Sequence, residues 1–213
     1  VKLAIFDLDG TIVRGTSSER LLFEKLYRER IIGRDQLWAY AGFLAHWWTK
    51  LGPTVIKKNK SYLTGLPVGR VEAAAVDLAT KILPEYFNAR VVGRIREHGE
   101  AGDISVLLTG APQFLAEPLG RALGMGHVIG SRLEAGEGVF TGGMPLVHPF
   151  GREKVRLAEE LCGKLGCRLN EAAAYADSKD DLPLLESVGR PVAVSPDRRL
   201  RVEAERMGWE VLC

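Results

Sequence analysis

The feature that most constrains this chain is a break in its hydrophobic rhythm. Lys2 to Asp7 (Lys-Leu-Ala-Ile-Phe-Asp) is a short apolar run closed by Gly10. A strand buried on both faces of a parallel sheet reads this way. From Ser17 to Arg96 the period changes: apolar residues recur at helical spacing (Leu21, Leu22, Leu26, then Leu37, Tyr40, Ala41, Leu44). Turn signals fall at Gly33, Gly52-Pro53 and Gly65-Leu66-Pro67, and no strand pattern interrupts them. After Gly102 strands and helices alternate. Strands are expected at Ile104–Leu108, His127–Leu133, Ala172–Ala176, Pro191–Val194 and Trp209–Leu212, with a short extended piece at Val139–Thr141. Helices are expected at Pro112–Leu123, Phe150–Leu165, Leu182–Val188 (Pro183 in its first turn) and Arg198–Met207.

Alternation of this kind demands an α/β fold: an open, mostly parallel Rossmann-like sheet with helices on both faces. The helical block is then an insertion between the first and second strands. The expected division is an α/β core of residues 1–14 and 97–213 and an all-helical cap of residues 15–96, hinged near Arg14-Gly15 and Arg96–Gly102. There is no internal repeat and no low-complexity tract.

Bulk properties remove several function classes. The 213 residues are 46% hydrophobic and 26% charged, enough to bury a substantial core. A net charge of +2 without a long basic run gives no reason to expect a nucleic-acid partner. The short cluster Lys57, Lys58 and Lys60 reads as a solvated helix face. The most apolar segment, Leu37 to Trp48, falls short of the roughly 20 residues a spanning helix needs, so no transmembrane segment is expected. Three cysteines, Cys162, Cys167 and Cys213, are too few and too scattered to cage zinc. With no signal-peptide pattern ahead of the first strand, a reduced, cytoplasmic protein is the expectation. Nothing in the pattern specifies an oligomeric state.

In open parallel sheets ligands bind beyond the carboxyl ends of the strands. Three strands here deliver polar groups to that edge. Asp7 and Asp9 end the first, Thr109-Gly110 follows the second, and Asp177 ends the Ala172–Ala176 strand. Residues two apart on a strand face the same way, so Asp7 and Asp9 can reach one ligand while Leu8 packs away. Carboxylates this close do not both stay charged without a cation, and a hard ion with oxygen ligands, Mg²⁺ for preference, resolves the conflict. Asp177 is placed to ligate it. Asp181 either binds through water and supports the other ligands or N-caps the helix containing Pro183; Asp180 reads as a capping or surface acid. The hydroxyl and backbone N–H groups of Thr109-Gly110, near a helix N-terminus, make an anion cradle. Lys154, early in its helix, can reach back to a phosphate oxygen.

In their order and spacing, Asp7-Leu8-Asp9-Gly10-Thr11, Thr109-Gly110, Lys154, and Asp177 with Asp181 resemble the four motifs of the haloacid dehalogenase superfamily of phosphatases. The inserted helices and the segment Gly138 to Gly142 resemble its phosphoserine-phosphatase-like branch (subfamily IB, with a helical C1-type cap). The resemblance implies a Mg²⁺-dependent phosphomonoester hydrolase with Asp7 as nucleophile and metal ligand, passing through an aspartyl phosphate. Asp9 would protonate the leaving alcohol, then activate water, and give the metal its backbone carbonyl. Thr109, Gly110 and Lys154 would hold the phosphoryl oxygens; Asp177 would complete the metal site, with Asp181 supporting it. For Asp9 to carry a proton near neutral pH, its pKa must rise from about 3.9, which burial and the Asp7 charge favour.

The substrate is expected to be a small or partly hydrophobic phosphomonoester. In phosphoserine phosphatases an acid after the first motif recognises the substrate amine; Thr16 falls at that place here, with Glu19 three residues along. Trp38, Tyr40, Phe43, Trp47 and Trp48 are expected mostly to pack the helical bundle, or some of them to line an apolar pocket. His148 precedes the Lys154 helix and can approach the site, His46 sits in the apolar cap run, and His98 and His127 read as loop or surface residues. The alternatives are a phosphotransferase or phosphomutase using the same intermediate, and a regulator that binds a phospho-ligand without catalysis.

Overall fold

The computed structural model describes residues 2–213. The chain opens with β1 (Leu3–Phe6), every residue of it buried. It then runs through α1 (Ser18–Arg28), α2 (Arg34–Leu51), α3 (Thr54–Lys58), α4 (Val68–Asp77) and α5 (Ala89–Glu100) before the second strand. β2 (Ile104–Pro112), α6 (Gln113–Ala122) and β3 (His127–Ser131) follow, then a two-stranded flap, β4 (Ala135–Gly136) and β5 (Val139–Phe140). The last part comprises α7 (Arg152–Leu165), β6 (Ala173–Ala176), α8 (Leu182–Ser187), β7 (Arg190–Val194), α9 (Arg198–Met207) and β8 (Glu210–Leu212).

The main sheet has six parallel strands in the order β3-β2-β1-β6-β7-β8. From β1 the chain winds outward through β2 and β3, then returns to the other side for β6, β7 and β8. The strand order therefore reverses at β1, and the crevice at such a switch point is where ligands bind. Alternate residues of the strands feed two apolar layers. Phe6, Leu107, Tyr175 and Val192 pack with Val91 and Ile95 of α5 and Leu115 and Leu119 of α6. Leu3, Ile5, Val106 and Ala174 pack with Ala158 and Leu161 of α7, Leu185 of α8 and Leu200 of α9. Period-two alternation into two helical layers is the physical content of a sheet covered on both faces.

Local chemistry sets the element ends. Ser17 accepts a bond from the Arg20 N–H at 3.2 Å and starts α1, and Asp197 accepts from Arg199 and Leu200 N–H and starts α9. α7 begins at Arg152, two residues later than the sequence suggests, because Gly151 turns the chain with φ 57°. The second strand differs more. Beyond Leu108 its register shifts, and Pro112 still pairs with Ser131. Thr109 and Gly110 therefore sit inside a bulge at the strand end, where a bulge re-aims the backbone toward a site.

Two expectations about side chains are corrected, those for His98 and Lys60. His98 is buried at 9% exposure: its ring nitrogens bond to Asp103 Oδ2 at 2.8 Å and Tyr175 Oη at 2.9 Å, and its edge meets Phe6. It lies on α5, which docks on the sheet, so the expected boundary after residue 96 falls inside a helix. Most of the α2 aromatics pack the bundle as expected, Tyr40, Phe43 and Trp47 among them, while Trp38 and Trp48 are 72% and 50% exposed. α2 is apolar on nearly every side but turns only the face of Tyr40, Phe43, Leu44 and Trp47 inward, with Phe43 the most buried of them. Lys60 is not solvated. It falls after α3 ends and is 3% exposed. No helix among the described residues is long and apolar enough to cross a membrane.

Candidate active site

β1 lies between β2 and β6, so the three polar strand ends are neighbours. They frame a cleft of about 330 Å³ lined by Asp7, Asp9, Thr109, Gly110, Lys154, Asp177 and Asp181, all the site residues read from the sequence. Asp7 is 8% exposed, and its N–H donates to the Tyr175 carbonyl at 3.0 Å, tying β1 to β6. Lys154, 3% exposed in the first turn of α7, donates to Asp7 Oδ1 at 2.6 Å and pairs with Asp181 Oδ1 at 2.6 Å. Asp181 occupies the N-cap position of α8 yet makes no capping bond; its carboxylate turns to Lys154. Carboxylate oxygens of Asp7, Asp177 and Asp181 all lie within 4.8 Å of one another.

The turn after β1 makes that approach possible. Gly10 has φ 89°, and a Cβ there would sit 2.0 Å from Asp177 Oδ2. Only glycine lets the loop and the Asp177 carboxylate share this space. Asp9 is directed elsewhere. Its Oδ1 accepts from the Ser18 N–H at 2.6 Å and its Oδ2 from the Ser18 hydroxyl at 3.1 Å, so the first turn of α1 holds it. The Asp9 carboxylate is thus not among the clustered oxygens.

Electrostatics follow from one cation serving several buried acids. Burial pushes the Asp7 carboxyl up to about 7; Lys154 opposes this, and the Asp181 and Asp177 charges add to it. Asp177 is raised to about 6 by burial and by the Asp181 charge. Burial also raises Asp9, against the two Ser18 bonds. Burial alone would lower Lys154, but Asp181 and Asp7 outweigh it and hold it charged above its ordinary range. The directions for Asp7 and Lys154 look opposed for two partners in one ion pair. They agree once the sharing is counted: the ammonium gains from two carboxylates, while each carboxylate has part of one ammonium and feels its acidic neighbours. The cluster is short of positive charge. Its donors are hard oxygens, and the Gly10 turn leaves the Asp177 carboxylate room beside Asp7; this set fits a hard divalent cation such as Mg²⁺.

Thr109 is 2% exposed, and its Oγ1 accepts from the Ala111 N–H at 3.1 Å, which tightens the bulge around Gly110. The inserted helices supply a roof that the sequence motifs do not reveal. Glu19, in the first turn of α1, pairs with Lys60 and accepts from the Tyr62 hydroxyl at 2.9 Å. Lys57 pairs with Asp180 across the cleft and lies over the Phe150 ring. His148 and Ser17 also line the cleft, and none of the five aromatics of α2 does. The one sequence signal for this roof is that Lys60 lies past the end of its helix, where a charged face has no period to follow.

A parallel sheet whose central strand ends in a buried carboxylate, beside a lysine, a bulged Thr109-Gly110 turn and two further acids, is the arrangement the sequence resemblance implies for a phosphate-ester hydrolase. The profile described as haloacid dehalogenase-like hydrolase matches residues 4–186, and the chain belongs to that family. Histidinol-phosphatase of Neisseria meningitidis serogroup C (strain 8013) is 34% identical over 218 residues, covering 99% of this chain and 97% of that protein. Phosphoserine phosphatase SerB1 of Mycobacterium tuberculosis is 31% identical over 213 residues, covering 98% of this chain and 69% of its own. A solved structure from Bordetella pertussis Tohama I, of unknown function, superposes with a TM-score of 0.84 at 26% identity, over 100% of this chain and 98% of that one. The protein is a phosphatase of the family, which generally uses Mg²⁺.

Proposed function

We propose that the protein hydrolyses the phosphomonoester of a small amino alcohol through an aspartyl phosphate on Asp7, with Mg²⁺ held by Asp7, Asp177 and the Asp9 backbone carbonyl and supported by Asp181. The observation that carries the reading is the meeting of Asp7, Asp177, Asp181 and Lys154 from the ends of four separate elements, with Asp9 held beside them. An Asp7 oxygen attacks phosphorus, and the ester oxygen leaves with a proton from Asp9. Water then gives a proton back to Asp9 and attacks the aspartyl phosphate, releasing inorganic phosphate and restoring Asp7. The cation, when bound, offsets the repulsion between the carboxylate and the phosphate dianion. Lys154, the Thr109 hydroxyl and the Gly110 N–H hold the phosphoryl oxygens, charges and dipoles fixed before reaction begins. The two Ser18 bonds keep Asp9 off the metal cluster and aimed at the leaving group.

The substrate class rests on the roof. Charged groups line it, which favours a small polar ester over an aromatic or lipid one. Glu19 supplies a carboxylate for an ammonium group, taking the part expected nearer Thr16. Two relatives are named for phosphate esters of amino alcohols, phosphoserine and histidinol phosphate. We take the inserted helices α1 to α4 as the cap that closes over this cleft and excludes water. A panel of amino-alcohol, aromatic and lipid phosphates with Mg²⁺, read as free phosphate, tests the proposal. Release from amino-alcohol esters that vanishes in Asp7→Asn supports it. Turnover confined to aromatic or lipid esters refutes the substrate class, and transfer to an acceptor without free phosphate favours the phosphotransferase.

A further inference from the structure

One cleft residue has no part in that chemistry. His148 Nδ1 lies 2.7 Å from Ser131 Oγ, and Ser131 Oγ lies 2.7 Å from the Gly110 carbonyl oxygen. The carbonyl can only accept, so the single hydroxyl proton of Ser131 points at it. Ser131 Oγ must then accept from His148, which fixes the proton of the ring on Nδ1. Nε2 is left as a bare acceptor, buried and without a partner in the protein. Burial and the charges of Lys60, Lys58, Lys154 and Lys57 push the His148 pKa down to about 3, so the ring stays neutral. A neutral ring presenting a lone pair repels phosphoryl oxygens. His148 is therefore no phosphate ligand, although it lines the cleft.

The other end of the relay is informative. Gly110 sits in the bulge where β2 departs from its pairing with β3, and Ser131 is the β3 residue facing that bulge. The His148 ring also closes over Gly110: a Cβ there would lie 3.3 Å from His148 Cε1. Bulged backbone has lost ladder bonds that would hold its peptide planes. We propose that His148 is a positioning residue: through Ser131 it pins the Gly110 carbonyl, and so the Gly110–Ala111 peptide, whose N–H donates to Thr109 Oγ1 and sets the direction of the hydroxyl that holds a phosphoryl oxygen. This rests on the reading of Thr109-Gly110 as the phosphate cradle.

Two variants separate the relay from any direct role. Asn places its amide nitrogen where His carries Nδ1, whereas Gln reaches the position of Nε2. His148→Asn, His148→Gln, Ser131→Ala and the Ser131→Ala/His148→Gln double variant are compared with wild type for KM, kcat and calorimetric binding of inorganic phosphate in Mg²⁺, with thermal melts to confirm folding. The loss of one well-made hydrogen bond weakens phosphate binding and raises KM by about fivefold to tenfold in Ser131→Ala and His148→Gln. His148→Asn recovers most of that loss. The double variant is no worse than either single, since both break one relay. The proposal is overturned if Ser131→Ala binds phosphate like wild type, if Gln rescues and Asn does not, or if the two losses add. Phosphate binding reads the relay without turnover, so a wild type that binds phosphate but releases none would sink the hydrolase reading and leave this test standing.

Discussion

Replacing Lys154 by Met keeps the length and apolar stem of the side chain and removes its charge. The structure gives the size of the effect. The ammonium is 3% exposed and 2.6 Å from both Asp7 and Asp181. Removing one partner of a buried ion pair costs about 3–5 kcal/mol, because the other charge is left without compensation. For a chain of 150–250 residues each kcal/mol moves Tm by roughly 2–4 °C, so Lys154→Met in EDTA should melt about 6–20 °C below wild type. The loss should depend on pH with a definite sign. Orphaned carboxylates escape by taking protons, and burial already holds Asp7 at about 7 and Asp177 at about 6, above the ordinary 3.8. A raised acid favours the folded state at low pH and loses that contribution as pH rises through its folded pKa. The Tm gap should therefore be smaller at pH 5 than at pH 8. Phosphate release should fall by about 10²–10³, the size of losing one preorganised group that stabilises transition-state charge. Differential scanning calorimetry at the two pH values, with a phosphate-release assay beside it, makes the test. A Tm within a degree of wild type at pH 8 would refute the claim that Lys154 compensates the acid cluster.

Other perturbations probe neighbouring parts. Gly10→Ala forces a Cβ to 2.0 Å from Asp177 Oδ2 at φ 89°; strain of about 1–3 kcal/mol should lower Tm. The same variant should lose most of the Mg²⁺-induced rise in Tm, which at 100 times Kd is worth about 2.7 kcal/mol in wild type, as calorimetry with and without Mg²⁺ will show. Glu19→Gln removes the roof carboxylate, so the kcat/KM preference for an amino-alcohol phosphate over its des-amino analogue should shrink about 10- to 100-fold, the worth of a charged hydrogen bond. His148 keeps its proton off down to about 3 when folded but takes one near 6.5 when unfolded, so stability should fall as pH drops from 6.5 toward 3. His148→Asn should flatten that part of the Tm–pH curve relative to wild type.

The arrangement of the sheet was legible because each strand ends at a change of hydrophobic period. Lys2–Asp7 and Ala172–Ala176 lie within a residue or two of β1 and β6, and their acids meet in the cleft. Strand neighbours brought the separated motifs together, and the sequence could show this because the switch-point rule depends on order alone. What escaped depends on three-dimensional facing. The burial of His98 is set by Phe6 and Tyr175 on two different strands, a coincidence no period records. Lys60 reads as surface beside the helical Lys57 and Lys58, yet it lies past the end of that helix and is buried where it pairs with Glu19. Pro112 resembles a helix start, so the sequence places the strand end before Thr109-Gly110, and only the pairing of Pro112 with Ser131 reveals the continued strand and its bulge. Trp38 and Trp48 stay exposed because α2 offers apolar residues on more faces than the bundle can cover.

The central claim is that the carboxylate of Asp7 itself takes the phosphoryl group. Protein mixed with Mg²⁺ and an amino-alcohol phosphate, quenched in acid during turnover and digested, can be mapped by mass spectrometry. A hydroxylamine-labile phosphate on the peptide containing Asp7, present during turnover and absent from Asp7→Asn, is the predicted result. Free phosphate released at full rate by a protein in which Asp7 is never labelled and can be replaced by Asn would contradict it.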